Sequence, residues 1–79
     1  MKNSEKKLLR DSLEHLMNEV DDTRMNLESV LDEVSERLYS TEDEEKEDKY
    51  QEESDRIENV INALDDLEIV IEELRGNIE

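Results

Sequence analysis

IENVINALDDLEIVIEELRGNI, residues 57–78, is the longest segment with a nearly unbroken apolar seam. Ile57, Val60, Leu64, Leu67, Ile71, Leu74 and Ile78 follow one another at alternating spacings of three and four. That alternation averages the heptad period, so all of them fall on one stripe of an α-helix. Ile61, Ala63 and Val70 flank the stripe and widen it. A face this broad must be covered, and the covering has to come from the remainder of the chain or from another molecule.

The N-terminal half repeats the pattern. Leu9, Leu13, Leu16, Val20, Leu27, Val30 and Val34 keep the same spacing, with Thr23 as the polar member of the series. Met17, Leu31 and Leu38 occupy a consistent neighbouring position. These positions predict a first helix over about 4–39, with Asn3 or Ser4 as its cap. Residues 40–48 read as an acidic connection and about 49–76 as the second helix. An alternative start near Glu42 is supported by the capping-box pair Thr41 and Glu44. Gly76, the single glycine, falls where a helix commonly takes a left-handed C-cap, with Arg75 well placed against the helix dipole.

Two long helices joined by a short or medium connection fold back on each other. The expected class is therefore all-α, an antiparallel helical hairpin of coiled-coil type in one domain, 1–79. Two registers compete. One places Leu13 opposite Leu67 and Val20 opposite Val60, and needs a tight turn around Tyr39 to Thr41. The other places Leu9 opposite Ile78, Leu13 opposite Leu74 and Val20 opposite Leu67, and pairs more aliphatics. A lone hairpin of this size gains about as much from burial as it loses in chain entropy. Dimerisation into a four-helix bundle is the expected remedy, with Leu9, Leu13, Leu16, Val20, Leu27, Val30, Val34, Ile57, Val60, Ile61, Leu64, Leu67, Val70, Ile71, Leu74 and Ile78 as the self-association seam.

Charge is the outstanding bulk property. The chain carries 10 basic and 26 acidic residues, a formal net charge of −16. Residues 1–10 hold Lys2, Lys6, Lys7 and Arg10 against Glu5, so the net charge of everything after them is more negative still. Such a surface repels nucleic acid and anionic lipid, and attracts basic protein. Neither a signal peptide nor a membrane span is expected, because charged residues recur every few positions. With no cysteine, a cytoplasmic location is the simplest expectation.

Chemistry finds little support. His15, the only histidine, projects outward beside Glu14 and Glu19, a weak metal set. The acidic segment Glu42 to Glu53 lacks the glycine that a calcium loop needs. Paired carboxylates on solvated helices have neither the burial nor the cleft that acid–base catalysis requires. No enzyme activity, cofactor or metal is expected. The candidate function is a small acidic protein-binding module or inhibitor that occupies a basic surface of a partner protein, in its sharpest form a nucleic-acid-binding one. Its candidate partner-binding residues are Asp21, Asp22, Glu28, Asp32 and Glu36 on the first helix. On the second they are Asp55, Glu58, Asp65, Glu72 and Glu73. The alternative is a self-assembling structural bundle or adaptor whose acidity serves solubility alone. Thr23 is read as a tolerated polar residue within the seam.

Overall fold

The computed structural model describes residues 1–78, and these form two helices, α1 (Asn3–Ser40) and α2 (Glu44–Asn77). They pack along their length into an antiparallel rod measuring 61 × 15 × 13 Å. No helix among the described residues is long and apolar enough to cross a membrane.

The connection is three residues, 41–43, so the second helix starts within two residues of the alternative near Glu42, and the acidic stretch 40–48 is not a loop. Local chemistry explains the difference. The Asp43 carboxylate accepts from the Glu45 amide at 3.0 Å, and Glu44, Glu45 and Glu47 complete an acidic first turn. Negative charge is stabilising at that end of a helix, so residues that cannot pack can still propagate one. Thr41 acts as the C-cap of α1 and is not the cap of α2; its amide donates to the Arg37 carbonyl at 3.0 Å.

Two other end assignments also change. The N-cap of α1 is Lys2, whose carbonyl accepts from the Lys6 amide, so Asn3 and Ser4 already lie inside the helix. Gly76 is helical and has no positive φ; the helix runs on to Asn77. Continuing the turn is what brings Ile78 inward, where it is 3% exposed against Leu9, Leu13, Met17 and Ile71. Leu9 and Ile78 share that cluster, as in the second of the two registers, but with a tight turn in place of a loop.

Heptad letters make the packing explicit. In α1 the d row is Leu13, Val20, Leu27 and Val34, and the a row is Met17, Arg24, Leu31 and Leu38; all of these are buried or half-buried. In α2 the d row is Tyr50, Ile57, Leu64, Ile71 and Ile78, and Ser54, Ile61 and Glu68 lie inward on the a row. Leu16, Val30, Val60, Leu67 and Leu74, expected within the hairpin seam, instead occupy the g rows and are exposed, as is Val70 beside them. The helices therefore meet one residue further round than a count of aliphatics implies. That choice brings Arg24 to the interface, where it links acids of both helices.

Replacing Ile71 with alanine should lower the unfolding free energy by about 2–4 kcal/mol, whereas Leu8→Ala should change it by less than about 0.5 kcal/mol. Urea unfolding followed by circular dichroism checks both, since Leu8 is 69% exposed.

Candidate protein-binding surface

The a and d rows leave two further faces on the rod, and antiparallel packing sets equivalent rows of the two helices on the same side. On one side lie the e rows, with Glu14, Asp21 and Glu28 from α1 beside Glu58, Asp65 and Glu72 from α2. Two observations fix this pairing. Arg24 bonds Asp21 and Asp65 at once. Near the free ends, Glu14 and Glu72 line one open groove together with Arg10 and Arg75.

On the opposite side lie the g rows, carrying Leu16, Thr23 and Val30 from α1 and Val60, Leu67 and Leu74 from α2. The hairpin is thus two-sided, acidic on one flank and aliphatic on the other. After residue 10, no lysine or arginine of either helix occupies a b, e or f position. The remaining bases sit on the a rows (Arg24, Arg75), on the g rows (Arg37, Lys46) or beside the latter (Lys49, Arg56).

Every acidic residue singled out in the sequence falls within those base-free rows. Asp22, Glu28, Asp32, Glu36, Asp55, Glu58, Glu72 and Glu73 are exposed. Asp21 and Asp65 are drawn instead into the Arg24 cluster. The Arg24 guanidinium reaches Asp21 at 2.6 Å and Asp65 at 2.7 Å, and also bonds Glu68. Arg24 thereby joins the two helices, donating to Asp65 and Glu68 of α2 while it holds Asp21 of α1. Sequence reasoning passed over Arg24 because it weighed only the neighbouring Thr23; the signal available was a lone base on an a row facing an acid on the other.

Three carboxylates around one cation cannot all be neutralised. Glu68 is pushed above the usual carboxylate range, first by sharing a hydrogen bond with Asp21 and then by desolvation in the seam. Asp21 is lowered, chiefly by accepting that hydrogen bond and further by Arg24. His15 projects outward and pairs with Glu19 at 3.0 Å, as its heptad position implies. Among the described residues no three His, Cys, Asp or Glu side chains converge as a metal set would. Comparison with protein-family models, with curated proteins and with solved structures finds no match.

The pH response follows from these two shifts. A raised Glu68 favours the folded state below its unfolded pKa, and that contribution is lost as pH rises through the raised value. A lowered Asp21 contributes above its unfolded pKa, near about 4, and loses that only as pH falls further. Acidification from pH 7 to about 5 should therefore raise the melting temperature, and relief of general repulsion adds to the rise. Glu68→Gln should flatten that rise. Arg24→Met should lower the melting temperature at pH 7 by more than at pH 5, because protonation of the raised Glu68 eases the repulsion among acids left without their cation. Thermal melts at the two pH values read both effects.

Proposed function

We propose that this protein is a small acidic, non-enzymatic binding module that occupies a basic, nucleic-acid-binding surface on a partner protein, and that it acts as a homodimer closed into a four-helix bundle. The observation that carries this reading is the exclusion of lysine and arginine from the b, e and f rows after residue 10. A bundle that needs only solubility gains from mixed charges, since i,i+4 pairs of opposite sign stabilise a helix. Keeping the outer rows purely acidic forgoes that gain and adds self-repulsion, a cost that makes sense if the field itself is used.

Acids three and four residues apart on a helix stand about 5–6 Å from one another, a spacing comparable with that of successive phosphates along a nucleic-acid strand. Asp22, Asp32 and Glu36 on α1, with Asp55 and Glu73 on α2, are solvated and free of the Arg24 cluster. They are the residues best placed to meet a partner's lysines and arginines. The second reading, a structural bundle whose acidity is passive, draws on the exposed g-row aliphatics. It predicts the same dimer but no use for the acidic rows.

Binding to a panel of purified basic nucleic-acid-binding proteins, with duplex DNA as competitor, separates the two. The expected result is salt-sensitive binding to at least one member that duplex DNA displaces. A combined Asp22→Asn, Asp32→Asn, Asp55→Asn and Glu73→Gln variant should bind roughly tenfold more weakly, about 1.4 kcal/mol, while keeping its helical spectrum. Equal binding by that variant, or none that DNA displaces, would leave the passive bundle as the better account.

A further inference from the structure

The aliphatic g-row face is apolar surface that the hairpin itself does not use. It carries Leu16 and Val30 from α1, with Val60, Leu67 and Leu74 from α2 and Val70 along its edge. The molecule exposes 6201 Å², whereas a compact monomer of its mass exposes about 5,000 Å². The excess is larger than the ~800 Å² per partner that a standard stable interface buries. One long face of a 61 Å rod can supply that area.

The edges of this face are charged in a complementary way. Along the α1 edge, the c row presents Glu19 and Glu33; along the α2 edge, the c row presents Lys49 and Arg56. Counting outward from the turn at residues 41–43, Glu33 stands level with the segment that holds Lys49 and Arg56. Within one hairpin these edges lie on opposite sides of the face. Among the described residues Glu33 enters no ion pair, and Arg56 pairs within its own helix, with Glu52 at 2.5 Å.

We infer that the face is covered by a second copy of this chain, related by a two-fold axis parallel to the rod. Helix α1 of each copy then packs on α2 of the other, and both turns lie at the same end. This arrangement sets Glu33 beside Lys49 and Arg56 of the partner copy twice over, at two equivalent edges. On the g rows it lays Arg37 between the partner copy's Lys46 and Glu53, one like and one unlike charge, so the pairing at the edges decides the arrangement. A two-fold axis perpendicular to the rod would lay α1 on α1, placing like edges together and Arg37 over the basic stretch Lys2 to Lys7. The inferred dimer keeps the acidic e rows of both copies on its outside. It rests on the self-association part of the proposed function and not on the basic partner.

Sedimentation equilibrium on the full chain and its charge variants tests the arrangement. Wild type should be a dimer, Glu33→Arg and Arg56→Glu should each weaken it by about tenfold, and the two together should restore it to within about threefold. Because the chain has no cysteine, crosslinking reads orientation cleanly. A mixture of Leu16→Cys and Leu67→Cys proteins should form the mixed disulfide, and Thr23→Cys alone should not link to itself. A dimer in which Thr23→Cys links to itself, or in which the double reversal fails to restore association, overturns the orientation and leaves self-association standing. A monomer at all concentrations overturns both, while binding to basic partners is measured independently of either.

Discussion

Arg24 stands between two helices that carry far more negative than positive charge, and it holds three carboxylates from both of them. Helices of like charge repel when laid side by side, and the apolar rows must overcome that repulsion along the whole rod. A cation at the seam converts the closest acids of both helices from opponents into partners. Its reach is confined to Asp21, Asp65 and Glu68, so it also selects which rows face each other and at what height. The a-row packing, the near register of Leu9 with Ile78, and the division into an acidic and an aliphatic flank are all consistent with that one contact.

The consequence is a hairpin that keeps some of its best aliphatic side chains outside. Leu16, Val30, Val60, Leu67 and Leu74 line one flank while Glu68, Ser54 and Arg24 occupy the seam. For an isolated monomer this is a poor use of apolar surface, because burial is the main favourable term available to so small a chain. For a subunit it is a sensible one. The polar pairing specifies the hairpin, and the aliphatic flank remains available for assembly. Carboxylates excluded from both contacts gather on the outer rows, where water solvates them and a basic surface can reach them.

Some local features were misjudged for identifiable reasons. Gly76 suggested a left-handed C-cap because glycine tolerates that geometry, but it stays right-handed and the helix runs one residue further, to Asn77, with Ile78 buried just beyond it. The acidic stretch after Thr41 suggested a loop because nothing in it packs well. Its first acids cap and charge a helix N-terminus, which is a local gain that composition alone undervalues. Met17, Leu31 and Leu38 looked peripheral because the seam was drawn through the positions richest in aliphatics.

Heptad spacing is a local property of the chain, and it was sufficient for two helices, for their antiparallel return, for the outward placement of His15 and for the exposure of most of the candidate acidic residues. Which side of each stripe turned inward was different. Rotating both helices by one position exchanges the a and g rows, and either choice buries a continuous apolar row. The decision lies in a contact between residues 41 and 44 positions apart, Arg24 with Asp65 and Glu68. A pattern read within one helix does not contain that contact. Only bringing the helices together showed which acids the cation could reach and, with them, which face was left uncovered.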